Sequence, residues 1–499
     1  MKPARSSGVL LHPTALPGPH GIGSFGAEAR AFVDFLAAAG QSIWQILPLG
    51  PTGFGDSPYN ALSAQAGNPL LVDLPTLAAW GDLDPAEAAD LGDAPGRVDF
   101  AAAHRVKEEL LARAAGNFLA RADAARQAAF AAYCRDQAAW LDDYALFAAL
   151  RREFGGQSWQ EWPISLRQRD PATLATWRNR LAGEIAAERY RQFAFAVQWA
   201  ELKAYANRRR VRIFGDLPIF VALDSADVWA NQRLFRLDAA GRPTVVAGVP
   251  PDYFSANGQR WGNPLYRWEI HRAEGFAWWL QRFHAELQRC DLVRVDHFRG
   301  FQACWSIPAT EPTAVHGQWE ETPGRALFLA LRAVCPEPPI VAEDLGIITP
   351  EVEALRTEFG FPGMKILQFA FDSGPDNPYL PHNFAADCVV YTGTHDNATT
   401  LGWWQGLTAG QRGRIAAYLG TNHPAIPADL IRLALASVAR MCILPCQDLL
   451  GLDDAARFNR PGEGGGNWNW RLCPGQLTAE LAGHLRGLTE TYNRLPADI

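Results

Sequence analysis

Short apolar runs recur along this chain, and most follow a stretch whose apolar residues fall three or four positions apart. Gly8–Leu11, Ile43–Leu47, Arg212–Gly215, Leu292–Val295, Ile340–Ala342, Met364–Phe371, Cys388–Thr392 and Cys442–Leu444 read as strands, since an apolar run of this length is a strand buried on both faces. The stretches between them read as helices. Ser24 is placed to cap the first, Phe25, Phe32, Phe35 and Leu36 form its apolar stripe, and Gly40 ends it. Phe195, Trp199 and Leu202 lead into the third strand, and Phe276, Leu280, Phe283 and Leu287 into the fourth. Thr349-Pro350-Glu351 starts a later helix and Gly360 stops it. Eight strands alternating with helices predict one (β/α)₈ TIM barrel over residues 1–499. A doubly wound open sheet is the alternative, but no G-x-G-x-x-G follows the first strand, so dinucleotide binding is unsupported.

Two connections exceed what a barrel needs. Residues 53–205 begin as an aromatic, glycine-rich loop and continue as alanine-rich helix, which predicts a helical insertion. Residues 217–270 form a second insertion. Within it Val245–Tyr266, rich in glycine, proline and aromatics, reads as an ordered loop of the functional kind. The residues after the last strand supply a closing helix but no C-terminal β-sandwich.

Composition narrows the class. A 48% hydrophobic chain builds a large core, and a net charge of −7 gives no footprint for nucleic acid or an anionic membrane. No apolar run approaches the roughly 18 residues of a membrane span. Met1–Gly8 is followed by no signal-peptide core, so a cytoplasmic protein with its eight scattered cysteines reduced is expected. Eighteen tryptophans stand out, and Trp261, Trp468 and Trp470 lie in loop sequence. Loop tryptophans either stack on sugar rings or anchor long loops to the core.

The candidate chemistry lies where three strands end. Leu292–Val295 runs into Asp296-His297, Ile340–Ala342 into Glu343-Asp344, and Cys388–Thr392 into Gly393-Thr394-His395-Asp396-Asn397. Carboxylates at several C-terminal strand ends of a parallel barrel make one site. Alternation points Arg294 and Asp296 to the same side, where a guanidinium keeps a carboxylate ionised. That suits a nucleophile, and equally a structural ion pair. Glu343 would then be a general acid whose pKa is raised by the charge of Asp296 and by exclusion of water. Asp396 would be a third carboxylate favouring an oxocarbenium-like transition state, with His297 and His395 as neutral-capable donors. This is the retaining double displacement of a carbohydrate-active enzyme.

At these residues the chain resembles the 4-α-glucanotransferases of glycoside hydrolase family 77, the amylomaltases or disproportionating enzymes. The resemblance extends through Gly8–Thr14, Trp44–Thr52, Ser57-Pro58-Tyr59, Gly215–Ile219, Gly258–Pro264, Arg294–Gly300, Ala342–Gly346 and Thr394–Asn397. It implies Asp296 as nucleophile, Glu343 as acid/base and Asp396 as transition-state stabiliser. Arg294, His395 and Asp216 would line the donor sugar's site, and Tyr59 would be a glucan platform. Gln259, Trp261, His297 and Asn397 would complete the substrate-binding set, under a lid at 247–264 that includes Tyr253. The tail Asn459–Trp468 is richer in glycine than the family pattern. The resemblance implies malto-oligosaccharide and α-1,4-glucan substrates, no metal or organic cofactor, and a monomer. The alternatives are an α-glucan hydrolase on the same barrel, or an inert glucan-binding barrel.

Overall fold

A computed structural model describes residues 5–89, 96–251 and 255–496. Its strands are β1 (Ser6–Leu10), β2 (Ile43–Gln45), β3 (Arg212–Leu217), β4 (Val245–Val249), β5 (Gln259–Pro264), β6 (Leu292–Val295), β7 (Ala303–Pro308), β8 (Gln318–Glu321), β9 (Ile340–Ala342), β10 (Gly363–Ile366), β11 (Cys388–Tyr391) and β12 (Met441–Pro445). Eight of these pair in parallel in the order β10-β11-β12-β1-β2-β3-β6-β9. The seam between β9 and β10 carries no ladder. The Ala342 amide crosses it to the Pro362 carbonyl at 2.9 Å, and the Asp344 carboxylate accepts from the Met364 amide at 2.7 Å. All eight predicted strands are present, and the sheet is a nearly closed TIM barrel. Every residue of β1, β2, β9, β11 and β12 is buried, which is why apolar runs mark them in the sequence even though Ser6, Ser7 and Gln45 are polar.

The remaining four strands form an antiparallel sheet in the order β5-β4-β7-β8. The expectation of an ordered loop at Val245–Tyr266 is therefore corrected: that segment contains β4 and β5. Glycine and proline hide these strands in the sequence, yet Gly248 belongs in β4 because a Cβ there would lie 2.2 Å from the Gln259 carbonyl oxygen. Strands β7 and β8 were also absent from the sequence-based expectation. Tyr253 falls outside the described residues.

Between β2 and β3 lie the helices Phe100–Arg121, Ala124–Asp136, Ala138–Glu153 and Ala182–Arg208. Asp99 and Asp123 cap two of them through backbone amides at 2.9 Å. Phe195, Trp199 and Leu202 of the last are buried against the barrel. The first barrel helix is Ala27–Ala38, with Gly26 rather than Ser24 at its cap. The Ser24 hydroxyl instead donates to Asp73 at 2.8 Å, fastening the barrel to the start of the helical insertion. The helix Pro350–Glu358 starts at proline, as expected, with Thr349 in the N-cap position but without a side-chain cap hydrogen bond. After β12 the described residues hold helices, notably Ala479–Thr491, and no further sheet. All eight cysteines are free thiols. No helix among the described residues is long and apolar enough to cross a membrane.

Candidate active site

Strand register brings the acidic groups together. Asp216 on β3 is the direct partner of Arg294 on β6, and Val295 on β6 is the partner of Ala342 on β9. One residue past that last pair, Asp296 and Glu343 leave neighbouring strands side by side. Arg294 Nη1 donates to both Asp216 oxygens at 2.8 and 2.6 Å, and its Nη2 donates to Asp296 Oδ1 at 2.6 Å. The pair with Asp216 is sealed, whereas the Asp296 side chain is 26% exposed. One cation thus fixes two carboxylates, one in the wall and one facing the cleft. Burial works against the Arg294 charge, and Asp216 and Asp296 outweigh it, holding its pKa well above the ordinary value.

The chain turns sharply after Asp296. His297 adopts the left-handed conformation, φ 48° and ψ 49°, a strained choice for a residue with a side chain. The turn aims the His297 amide at Glu343 Oε2 (2.7 Å) while the Leu345 amide reaches Oε1 (2.9 Å). Gly300 makes room for the ring, since a Cβ there would lie 2.7 Å from Ile219 Cδ1 and 3.0 Å from His297 Cδ2. Burial, and then the charge of Asp296, push the Glu343 carboxyl up to about 8 against the pull of Arg294 and the two amides. Burial likewise lowers His297 to about 4, so its ring is neutral at neutral pH. That ring stands edge-on to Trp261 at 4.8 Å, and Trp261 Nε1 donates to Gln259 at 3.1 Å. Trp261 is 38% exposed, while Trp468 and Trp470 are buried and anchor their loops.

On the far side a hydrogen-bonded chain links the remaining groups. The Tyr59 hydroxyl donates to Asp216 Oδ2 at 2.5 Å and lies 2.9 Å from His395 Nε2. With Asp216 ionised the tyrosine proton goes to it, and His395 Nε2 is then the donor to the Tyr59 oxygen. Burial lowers the His395 pKa, consistent with this single-proton tautomer. His395 Nε2 is also 3.4 Å from Asp396 Oδ2. Tyr59 is therefore tied by its hydroxyl as well as offering a ring. Asn397 spends its side-chain oxygen on the Thr394 amide and hydroxyl, both at 2.8 Å, shaping the turn that presents Asp396.

The sequence reading missed the partners of Asp396. Asn459 Nδ2 donates to Asp396 Oδ1 at 2.6 Å, and the Asn459 amide reaches the His395 carbonyl at 3.1 Å. Arg457 donates to the Asp396 carbonyl at 2.8 Å. Trp468, itself left-handed at φ 64°, packs near Tyr59 and His395 with ring centroids 5.9 and 6.1 Å away. The glycine-rich tail noted in the sequence is thus the strap that orients Asp396. Its polar residues follow no strand or helix period, so only their place beside loop tryptophans signalled them.

Comparison with known proteins shows the family. The family model described as 4-alpha-glucanotransferase matches residues 11–477. A 4-alpha-glucanotransferase from Thermus thermophilus is 51% identical over 99% of this chain and 100% of its own length. One from Synechocystis sp. is 51% identical over 98% of both. The solved amylomaltase from Streptococcus agalactiae, in complex with acarbose, superposes with a TM-score of 0.95 at 39% identity, covering 99% of this chain and 100% of that one. The chain therefore belongs to the 4-α-glucanotransferase family, glycoside hydrolase family 77.

Proposed function

We propose that this protein transfers segments of α-1,4-glucans to the 4-hydroxyl of glucose or another glucan, with Asp296 as nucleophile, Glu343 as acid/base and Asp396 as transition-state stabiliser. The observation that carries the reading is the contrast between two neighbouring carboxyls. Asp296 is part-exposed and bound to Arg294, while Glu343 is buried and pushed up to about 8. Two such environments divide one acid from one base. Asp296 and Glu343 each follow directly on a residue of the paired Val295 and Ala342, the side-by-side placement on which a retaining pair about 5–5.5 Å apart depends. Asp296 attacks the anomeric carbon as Glu343 protonates the departing 4-oxygen, leaving a glycosyl ester. Esterification removes the Asp296 charge, so the Glu343 pKa falls and it takes the proton of the acceptor's 4-hydroxyl. That oxygen then attacks the anomeric carbon and Asp296 leaves. Asp396 faces the charge that develops on the ring, and Gln259, Trp261 and neutral His297 lie beside the reacting sugar. The expected lid at 247–264 would favour an ordered acceptor over water.

Incubation with maltotriose alone is expected to yield a ladder of shorter and longer chains with free glucose. Glucose and maltose without elongation would mean hydrolysis instead. A second expectation concerns pH. Glu343 must be protonated to start the reaction, so kcat/KM should hold through neutrality and fall as pH rises through about 8. A decline already complete near 4.5, the ordinary glutamate value, would remove Glu343 from the acid's role.

A further inference from the structure

We propose that the small antiparallel sheet carries a glucan platform centred on Trp319, which receives the acceptor chain beyond the sugar that meets Glu343. The proposal rests on the glucan-transfer reading above and extends it to a site formed by other residues. Trp319 lies on the edge strand β8 and is 40% exposed. The Arg299 guanidinium sits over its ring, 3.7 Å from the centroid. Its cross-strand partner Trp305 meets it edge-to-face at 5.2 Å. The indole is therefore fixed by its neighbours while part of its surface stays open. A pre-ordered aromatic face stacks on the C–H face of a pyranose with little further ordering cost.

Connectivity places this ring next to the acid. Arg299 comes three residues after Asp296 and donates to the Ile347 carbonyl. Ile347 is 58% exposed and lies two residues beyond Leu345, whose amide binds Glu343. The acid stands at the oxygen joining donor to leaving chain, so the wall around its own loop faces the leaving or acceptor chain. At the other end, Trp305 Nε1 donates to the Ala314 carbonyl at 2.9 Å, and the Ala314 amide binds the Asn257 carbonyl at 3.1 Å, within the segment 247–264 expected as the lid. Exposed Val315 (41%) follows. Exposed apolar side chains thus stand along this connection at Val315, Trp319 and Ile347. The sheet's own small core is Val246, Ile307 and Ala314, with Trp305 and Ala309 packed against it. The open surface of Trp319 lies on an edge strand, where exposed aromatic area invites association. The contacts that join Trp319 to Glu343 run through Arg299, Ile347 and Leu345, so the platform would serve a chain longer than a single acceptor sugar.

The test uses maltoheptaose as saturating donor and reducing-end-labelled glucose, maltotriose and maltohexaose as acceptors. Trp319→Ala is expected to raise the KM for maltohexaose by about five-fold or more and that for glucose by less than about two-fold, with Trp319→Phe recovering most of the difference. Calorimetric titration of maltohexaose into Asp296→Asn enzyme should show the same weakening when Trp319→Ala is added. Equal changes for all acceptors, or a loss that Phe does not recover, would assign Trp319 a structural role and overturn the platform. No change for any acceptor would overturn it too. Failure of the unaltered enzyme to lengthen any acceptor would instead refute glucan transfer, and the platform with it.

Discussion

Replacing Asp296 by Asn is expected to cut turnover on maltotriose by at least about 10⁴-fold while changing glucan affinity by less than about three-fold. The carboxamide has the same shape, and its oxygen still accepts the Arg294 Nη2 bond now made at 2.6 Å. What it loses is the ability to form a glycosyl ester, and a nucleophile's removal is not compensated by the groups that remain. The substitution also changes Glu343. After burial, the Asp296 charge is the largest influence raising that carboxyl, so Glu343 should titrate below its wild-type value of about 8 in the variant. This reproduces, without substrate, the electrostatic state of the glycosyl-enzyme. Product analysis at long incubation, calorimetric binding of maltotriose and a ¹³C titration of Glu343 measure the three effects. Transfer within about ten-fold of wild type would remove Asp296 from the nucleophile's role.

The barrel was legible because its strands are buried on both faces and are marked by apolar runs. The carboxylates were legible because they interrupt those runs at their ends. Register carried the rest: a single cross-strand pairing, Asp216 with Arg294, turns two polar residues a long way apart in sequence into one ion pair. The antiparallel sheet was not legible. Strand β4 is a short apolar run that its glycine and the prolines after it disguise as loop, whereas β5 contains Gly262 and β8 is almost wholly polar, so neither alternation nor an apolar run marks those two. Asn459 and Arg457 were hidden for another reason. They act on Asp396 through loop geometry, which has no period. Ser24 shows the limit of local signals, since its hydroxyl serves Asp73 rather than the helix beside it.

Removing the Arg294 charge should have the second large effect, and on two properties at once. Arg294→Ala is expected to lower kcat by at least about 10³-fold and to destabilise the fold by about 3–5 kcal/mol. The guanidinium is 5% exposed and the Asp216 carboxylate fully buried, so the variant leaves an acid in the wall with no cation. Arg294→Lys restores a charge but not the fork that spans Asp216 and Asp296. It should regain part of the stability and little activity. The pH dependence identifies the cause. Burial raises Asp216 from 3.8 to about 7 in the wild type, with Arg294 pulling it back. A folded-state value above the unfolded one means that the folded chain holds the extra proton. The associated stability is complete below 3.8 and lost as pH rises through about 7. Without Arg294 the folded value moves higher and the loss extends further up the scale. Arg294→Ala should therefore approach wild-type stability in mild acid and fall away most on the alkaline side. Urea midpoints across that range measure it. Adding Asp216→Asn should flatten the alkaline loss without restoring transfer, because Asp296 still lacks its guanidinium. A deficit that does not vary with pH would mean that lost packing, and not the orphaned carboxylate, destabilises the variant.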